Sequence, residues 1–599
     1  MTELIWDGKY AQDGRRVAPV RIALPFQTVE TVNESAQERQ LTLDRLVSGR
    51  DPEWRNRLIW GDKKYVLPSL LPEFGGKVDV IYIDPPFDTG ADFSFQVDLN
   101  GEGFTKEPSI IEQKAYRDTW GKGLDSYLQW FYETVALLHE LLAQNGTIFV
   151  HLDWHVGHYA KAILDDVFGS ENFLNEIVWY YYNKLHDSRK KLLPRAHDVI
   201  FRYAKTGGLQ VHNALKEVRD QPVKKLKYRK VAGQIQNIIG PDGKAVTYIS
   251  EDRTVDDVWR IRCLQPANIE ENVLFRTQKP EDLLERVLNL GSNVDDLVLD
   301  CFIGSGTTAV VAEKMNRRWI AADLGRFAIH TARKRLLSIP DVRPFVVQNL
   351  GKYERQAWQA AEFGEQAESR MLAYRRFMLA LYKAKPITGY VWLHGVKAGR
   401  MVHIGSVDAP ISPGDVAQVA AEFRRATGTG GEAPRTNCVD MLGWDFAFEL
   451  HEVAQQQAAL AKIDVRFVRI PREVLEKRAV EQGDIRFLEL AALAVNVAKN
   501  GRAITLTLTD FVIPPDDVPE DVRRAIANWV QWIDYWAVDW DNRGDTFHNE
   551  WQVYRTRRNR ELQKSATHTY EQSGTYKVVV KVIDILGNDT TKTLEVEVS

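Results

Sequence analysis

Between residues 58 and 345 the sequence repeats one pattern, in which a short apolar run is followed by a longer amphipathic stretch. The runs "VDVIYI" at 78–83 and "DLVLD" at 296–300 are rich in β-branched residues, which is typical of strands buried on both faces of a sheet. The stretch "SYLQWFYETVALLHELLAQNG" at 126–146 places apolar residues at helical spacing and ends in Gly. Alternation of this kind predicts an α/β fold with a doubly wound, mostly parallel sheet.

Two changes of pattern suggest how the chain is divided. Pro, Gly and Lys interrupt the alternation between about 205 and 260, which indicates an insertion, and the alternation ends near residue 350. The tail "GTYKVVVKVIDILGNDTTKTLEVEVS" then alternates like strands, so we expect an α+β region that ends in a β-sandwich-like domain. The predicted segments are an N-terminal arm at 1–50, the first half of the α/β domain at 51–205, the insertion at 206–260, the second half at 261–348, a C-terminal domain of unknown role at 349–529 and the sandwich-like domain at 530–599.

Composition excludes several classes of protein. A chain of 599 residues with 44% hydrophobic and 27% charged residues is a multidomain globular protein rather than a disordered one. Its three cysteines have no paired spacing, so we expect neither a disulfide framework nor a metal site. The N-terminus lacks the pattern of a signal peptide, and no run of 18 apolar residues occurs, so a cytoplasmic location without a membrane span is expected.

The net charge of -4 conceals a strongly basic stretch. Residues 184–230 contain fourteen Lys or Arg and four Asp or Glu, a local excess of +10. Within it, "KKLKYRK" at 224–230 predicts contacts with phosphates, although a solvated loop face is an equally good interpretation of the same residues. Lys190, Lys191 and Arg195 lie close after three tyrosines, and such interleaving favours a nucleic-acid groove.

Two motifs follow predicted strands. "DPPF" at 84–87 ends the first, and a carboxylate beside an aromatic ring can bind the exocyclic amine and the face of a base taken out of its stack. "DCFIGSGTT" at 300–308 ends the second, with Asp323 at the tip of the next strand, a pattern that suits a nucleotide or adenosyl ligand. Each motif alone is weak, since a stiff turn or a tight strand–helix turn explains it as well. If both strands belong to one sheet, the motifs meet at one edge.

Several stretches together resemble a known family. "DPPF", "RTQKPEDLLERV" and "DCFIGSGTTAVVAEKMNRRWIAADL" are similar to the DNA amino-methyltransferases that use S-adenosylmethionine, in the circularly permuted motif order of the β group. "LIWGDKKYVLPSLLPEFGGKVDVIYIDPPFDTG" and "RAHDVIFRYAKT" further resemble the modification subunits of type III restriction–modification systems. The resemblance covers roughly residues 55–345 and implies a Rossmann-like class I methyltransferase fold, with the insertion as the target-recognition region.

The resemblance implies a role for each matching residue. Asp84, Pro85, Pro86 and Phe87 would form the catalytic motif, in which the carboxylate of Asp84 and the carbonyl of Pro85 accept the target amine and Phe87 stacks on the extruded base. The residues expected to bind the cofactor S-adenosylmethionine are Asp62, Gln278, Lys279, Pro280, Asp300, Phe302, Gly304, Ser305, Gly306, Thr307, Thr308 and Asp323. The residues expected to bind DNA are Lys190, Lys191, Arg195, Lys224, Lys225, Lys227, Arg229 and Lys230.

The implied activity is methylation of adenine N6 in double-stranded DNA, within a restriction or anti-phage system. Aspartate before the two prolines favours adenine over the alternative, cytosine N4. Another alternative is a specificity subunit with weak or no catalysis that guides a helicase–nuclease. Such a restriction partner and a second copy of the chain, in a homodimer, are the expected protein partners. The chain departs from the family at Phe87, Asp88 and Cys301, where Tyr, Asn and Pro are usual. An Asp84 buried in a salt link without access for a base would contradict catalysis.

Overall fold

The computed structural model describes most of the chain. The described residues are 3–35, 54–86, 95–99, 102–106, 123–184, 191, 193–231, 234–364, 366–426, 437–448, 450, 462–481, 483, 485–514, 518, 520–544 and 546–599.

The first part of the chain alternates strands and helices as the sequence predicts. Its elements are β1 (Gln27–Val32), β2 (Asn56–Trp60), α1 (Lys63–Phe74), β3 (Val78–Ile83), β4 (Phe95–Leu99), β5 (Glu102–Lys106), α2 (Leu124–Leu141), β6 (Leu142–Leu152), α3 (Gly157–Phe168), β7 (Phe173–Tyr180) and β8 (His197–Ala204). β1 lies in the segment expected to be an arm, but it pairs antiparallel with a later strand at 345–349.

The insertion forms a long two-stranded ribbon. Its strands are β9 (Lys216–Leu226), β10 (Tyr228–Val231), β11 (Gln234–Asn237) and β12 (Thr247–Thr254), with β9 paired to β12 and β10 to β11, all antiparallel. We call residues 216–254 the ribbon. β13 (Val258–Arg260) then returns the chain to the edge of the central sheet beside β7.

The second part of the α/β domain contains α4 (Glu281–Gly291), β14 (Leu297–Asp300), α5 (Thr307–Lys314), β15 (Arg318–Asp323), α6 (Arg326–Leu337) and β16 (Phe345–Asn349). A mixed domain follows, with α7 (Gly351–Phe363), α8 (Ala367–Leu381), β17 (Lys385–Pro386), β18 (Gly395–Lys397), β19 (Arg400–Ile404), α9 (Pro413–Ala426), β20 (Cys438–Gly443), β21 (Asp464–Arg469), α10 (Lys477–Glu481) and β22 (Leu488–Glu489). β17 to β22 form one sheet in chain order.

The last hundred residues form a β-sandwich. Its elements are β23 (Ala492–Asn500), β24 (Ala503–Val512), α11 (Glu520–Ala525), β25 (Ile533–Asp539), β26 (Phe547–Asn549), β27 (Trp551–Tyr554), β28 (Ser565–Thr569), β29 (Gly574–Asp584) and β30 (Asp589–Val598). The sheets β23-β24-β28 and β27-β25-β29-β30 share one apolar core. We call residues 492–598 the sandwich; it begins earlier than the expected boundary at 530, because β23 and β24 supply part of that core.

The central sheet has the order β13-β7-β8-β6-β3-β14-β15-β2-β16-β1-β26. The six strands from β6 to β16 in this order run parallel, whereas β8 pairs antiparallel with both of its neighbours. One apolar core packs α1, α2 and α3 on one face, and another packs α4, α5 and α6 on the opposite face. The predicted doubly wound, mostly parallel sheet is therefore confirmed.

No helix in the described part of the chain is long and apolar enough to cross a membrane.

Candidate functional site

The two motifs meet at one edge of the central sheet. β3 and β14 are parallel neighbours with Ile81 opposite Leu299, so Asp84 and Asp300 follow the carboxyl ends of adjacent strands. The chain leaves β14 through α5 toward β15 on one side, and leaves β3 through α2 toward β6 on the other. Strands that diverge in this way open a crevice at their carboxyl ends, where ligands bind in open α/β sheets.

Asp84 forms an ion pair in this crevice. Lys279 Nζ contacts Asp84 Oδ2, and the side chains of Lys279 and Asp84 are 12% and 15% exposed. The other oxygen, Oδ1, is buried and accepts no hydrogen bond within the described part of the chain. The acid therefore lies in a salt link, but solvent still reaches its side chain. Pro85 and Pro86 are buried beside it, and Phe87, like Asp88, lies outside the described residues.

Asp300 is fixed by the loop that follows it. Phe302 N donates to Oδ1 at 2.9 Å and Thr308 Oγ1 donates to Oδ2 at 2.6 Å, so the carboxylate ties the start of the loop to the start of α5. Burial raises the pKa of Asp300 to about 7, and the charges of Asp84 and Asp323 act in the same direction. The influence of both acids on this pKa agrees with their meeting in one site.

The glycine-rich loop turns where only glycine fits easily. Gly304 and Gly306 both have positive φ, and a Cβ on Gly306 would lie 2.8 Å from Cα of Ala332 in α6. The loop therefore packs directly against a helix backbone, which allows α5 to begin at Thr307 beside the crevice. Ser305 is buried, and Thr307 Oγ1 accepts from Arg335 Nη1 at 2.8 Å.

Asp323 lies at the tip of β15, next to the glycine-rich loop. Its Oδ2 accepts from Gly304 N at 2.9 Å and its Oδ1 accepts from Gly325 N at 2.7 Å. Asp62 follows β2, the neighbour of β15, and Gly61 N donates to the carbonyl of Asp323 at 3.0 Å. Asp62 caps α1 by accepting from Lys64 N at 2.8 Å. The two acids thus lie on the same side of the crevice, and each carries a structural hydrogen bond.

Residues of the "QKP" motif connect the crevice to the start of α4. Gln278 faces its own loop, since Oε1 accepts from Val273 N at 2.9 Å and Nε2 donates to the carbonyl of Glu271 at 2.7 Å. Pro280 caps α4, and the carbonyl of Lys279 accepts from Thr307 Oγ1 at 3.1 Å. Only the side chain of Lys279 among these three is seen to reach the acid of the other motif.

Sequence reasoning missed a buried polar chain beneath Asp84. Tyr82 OH lies 2.9 Å from His151 Nδ1, His151 Nε2 lies 3.4 Å from Asp198 Oδ2, and Tyr181 OH donates to Asp198 Oδ1 at 3.1 Å. Burial opposes ionisation of Asp198, but the hydrogen bond and charge of His151, together with Lys279, leave the pKa of Asp198 below its usual value. A histidine in the middle of the apolar run "TIFVHL" was the available signal.

Aromatic side chains also line this edge. Phe302, expected to bind the cofactor, lies 5.6 Å from Trp130 between ring centroids, and Lys63 Nζ lies 4.0 Å from the centre of the Trp130 ring. Exposed Trp154 follows β6, the neighbour of β3, and the guanidinium carbon of Arg195 lies 3.6 Å from its ring centre. One of the DNA-binding candidates is therefore stacked on an aromatic ring next to the crevice.

The remaining DNA-binding candidates are distant in sequence from the two motifs that form the crevice. Five of them lie in β9, in β10 or between these strands, and all five are exposed: Lys224, Lys225, Lys227, Arg229 and Lys230. Lys191 is exposed, and Lys190 lies outside the described residues. The ribbon also exposes large apolar side chains, among them Tyr228, Ile235 and Ile249.

Comparisons with known proteins agree with this geometry. Residues 78–334 match the family model described as DNA methylase. The type II methyltransferase M.EcaI of Enterobacter cloacae is 25% identical over 331 residues, which are 47% of this chain and 69% of that protein. The DNA adenine methyltransferase YhdJ of Escherichia coli is 25% identical over 295 residues, covering 47% and 82%. The Mod subunit of the type III restriction–modification enzyme EcoP15I of Escherichia coli is 30% identical over 159 residues, covering 25% and 24%. Each match covers less than half of this chain.

Proposed function

We propose that the protein is a site-specific DNA methyltransferase that transfers a methyl group from S-adenosylmethionine to adenine N6, since residues 78–334 match the family model described as DNA methylase. The observation that carries the proposal is the convergence of Asp84 and the glycine-rich loop at adjacent strand ends. The buried, unpartnered Oδ1 of Asp84 supports the same role, because a buried acceptor without a hydrogen bond is costly and an incoming amine would satisfy it.

The residues present fit the cofactor. Gly304 and Gly306 keep side chains away from the loop, and a carboxylate has about four acceptor positions, so Asp323 can accept ribose hydroxyls in addition to the hydrogen bonds from Gly304 N and Gly325 N. When bound, S-adenosylmethionine would supply an electrophilic methyl group to the target amine, with the sulfur as leaving group and the amine proton released to solvent. The task of the chain is alignment, which supplies rate as effective molarity.

Asp84 would orient the target amine. As an acceptor of its hydrogen bonds, together with the carbonyl of Pro85, the carboxylate directs the nitrogen lone pair at the methyl carbon. Phe87 would stack on the extruded base, and extrusion costs a few kcal/mol. Arg195 on Trp154, one strand away from β3, suits a contact with the flipped nucleotide or its phosphate.

The ribbon would hold the duplex. A two-stranded β-ribbon fits the major groove, and β9 alone spans roughly 35 Å at about 3.3 Å per residue. Five basic residues and no acid lie between 223 and 230, which suits a run of phosphates. These features support the expectation that the insertion serves target recognition.

Adenine is the proposed base because Asp84 precedes the two prolines and because YhdJ is named as an adenine methyltransferase. The likeness to a Mod subunit supports a place in a restriction–modification system with a restriction partner.

The test is methyl transfer from labelled S-adenosylmethionine to DNA from a methylation-free host, followed by digestion to nucleosides. We expect N6-methyladenine with the wild type and at most a trace with Asp84→Ala. The matched control is Asp13→Ala, a change at an exposed acid of the N-terminal segment, which should transfer like the wild type.

Other outcomes assign other functions. N4-methylcytosine would replace adenine by cytosine as the target. Equal labelling by the wild type and Asp84→Ala would refute catalysis at this site, and tight DNA binding without transfer would favour the specificity subunit.

A further inference from the structure

Lys279 is one of the residues that the resemblance implies for binding the cofactor. In the structure its ammonium group instead contacts Asp84 Oδ2, across 195 positions of sequence. Both side chains are largely buried, so the contact is not a screened surface pair.

The backbone of Lys279 is anchored on the cofactor side of the crevice. Its carbonyl accepts from Thr307 Oγ1 at 3.1 Å, and Thr307 Oγ1 accepts in turn from Arg335 Nη1 at 2.8 Å. Arg335 is buried and also pairs with Glu281 at 2.8 Å. The lysine is therefore attached to the start of α5 while its side chain extends to the end of β3.

Lys279 also interacts with a second acid, Asp198. The charge of Lys279 lowers the pKa of Asp198, and Asp198 is held by hydrogen bonds with His151 and Tyr181. The ammonium group of Lys279 is therefore influenced by two acids, Asp84 and Asp198.

We propose that Lys279 is a positioning residue for the target amine: it holds Asp84 Oδ2, which leaves the buried, unpartnered Oδ1 as the acceptor for the amine. This inference rests on the proposed function. A carboxylate has two oxygens with about four acceptor positions, so one oxygen can be fixed while the other remains open. Without the lysine the carboxylate can rotate, and the amine then loses its fixed direction toward the methyl group.

A contact of Lys279 with Asp84 and a contact of Lys279 with the cofactor would affect different kinetic quantities. A contact with the methionine portion affects the affinity for S-adenosylmethionine, whereas a positioning contact with Asp84 affects the rate at saturating cofactor. Misplacement of a reacting group by about 1 Å can lower the rate on the order of a hundredfold.

The experiment compares Lys279→Met and Lys279→Arg with the wild type by single-turnover transfer and by calorimetric titration with S-adenosylmethionine. We expect Lys279→Met to lower the saturated rate on the order of a hundredfold with little change in the cofactor Kd, and Lys279→Arg to recover part of the rate. The matched control is Lys385→Met, which removes an exposed lysine of β17, outside the α/β domain, and should leave the rate unchanged.

A double-mutant cycle with Asp84→Asn tests whether the two residues act as a unit. If Lys279 acts through Asp84, the double variant should be no slower than Asp84→Asn alone. The role of Lys279 would be overturned if Lys279→Met changed only the cofactor Kd, or if the fold-losses in rate of the two single variants multiplied in the double variant. Either result would leave the proposed methyltransferase function standing. No transfer by the wild type would overturn the function itself.

Discussion

The ribbon leaves nearly all of its side chains in water, whereas the sandwich is joined to the central sheet through buried charges. Of the ribbon residues that the structure describes, only Ser250 is buried. In the sandwich, Lys581 Nζ lies 2.6 Å from Glu30 of β1, which also pairs with Arg333 of α6 at 2.9 Å. β26 even extends the central sheet beside β1.

The ribbon and the sandwich are two β-rich additions to the α/β domain, and they differ in what their side chains contact. A two-stranded ribbon without a core has little stability of its own, so exposed basic and apolar side chains along it are explained by an external partner. The sandwich has its own core and in addition contacts the site: Arg557 Nη1 donates to the carbonyls of Pro266 and Asn272, in the loop that leads to Lys279. We therefore expect the ribbon to act in binding and the sandwich to act in the integrity of the site.

The largest effect is expected from Glu30→Gln. The side chain of Glu30 is fully buried, and its loss as an anion leaves Arg333 and Lys581 without their shared counter-charge. Removing one member of a buried ionic cluster costs about 3–5 kcal/mol, so the free energy of unfolding in urea should fall by that amount.

The control for this change is Glu520→Gln. Glu520 pairs with Arg524 on the sandwich surface, where both side chains are more than half exposed, so its loss should cost about 0–1 kcal/mol. Equal effects of the two changes would mean that the buried cluster does not hold the sandwich in place.

The next effect concerns DNA affinity and isolates the ribbon. Replacing Lys224, Lys225 and Lys227 by Ala should weaken binding to duplex DNA and lower its salt-dependence slope by about 3, roughly one for each lost phosphate contact. All three side chains are exposed, so the unfolding free energy should not change. Fluorescence anisotropy at several salt concentrations measures the slope.

A matched triple variant removes Lys385, Lys499 and Lys564, which are exposed outside the ribbon. It changes the net charge equally and should leave the slope near that of the wild type. Equal slopes for both triple variants would reduce the ribbon to a solvated surface.

The sequence was sufficient for the parts of the site that depend on strand ends. Buried strands in a parallel sheet are recognisable as apolar runs, and their carboxyl ends share one edge, so the sequence predicted that Asp84, Asp300 and Asp323 would meet if their strands belonged to one sheet, as they do. Gly304 and Gly306 were recognisable in the sequence as a glycine-rich turn. The structure explains why glycine stands there, because positive φ and close packing leave few alternatives.

Side-chain pairing was not accessible in the same way. The contact between Lys279 and Asp84 depends on the conformation of a long flexible side chain, which no periodicity encodes. The same holds for the hydrogen bonds of Asp62 and Gln278: Asp62 accepts from Lys64 N at the start of α1, and Gln278 accepts from Val273 N in its own loop. β1 was missed because its sequence, QTVETV, is mostly polar and lacks the apolar run that marks buried strands.

A smaller effect is expected from Arg557→Ala. Arg557 connects the sandwich to the loop that precedes Gln278 and Lys279. Arg557 donates to Pro266 O at 3.2 Å and Asn272 O at 3.1 Å, and these bonds fix the loop ahead of Gln278 and Lys279. Charged hydrogen bonds contribute about 1.5–3 kcal/mol when buried, and partial exposure reduces this, so the saturated rate of methyl transfer should fall roughly tenfold in a single-turnover measurement. Arg558→Ala, which removes an exposed pair with Glu270, is the neighbouring control and should change this rate less.

The smallest effect is a pH dependence that belongs to the sandwich junction. Burial by itself raises the pKa of Glu30, but Arg333 and Lys581 outweigh burial and leave this pKa below its ordinary value of 4.5. The unfolded chain therefore takes up this proton at a higher pH than the folded chain, so the stabilisation from Glu30 is complete above pH 4.5 and is lost as the pH falls through the lowered pKa. The difference in unfolding free energy between the wild type and Glu30→Gln should accordingly be constant near neutral pH and shrink below 4.5. A difference that stays constant into acid would show that the charge of Glu30 is not what joins the sandwich to the sheet. The ribbon triple variant, which touches no buried acid, should follow the wild type at every pH.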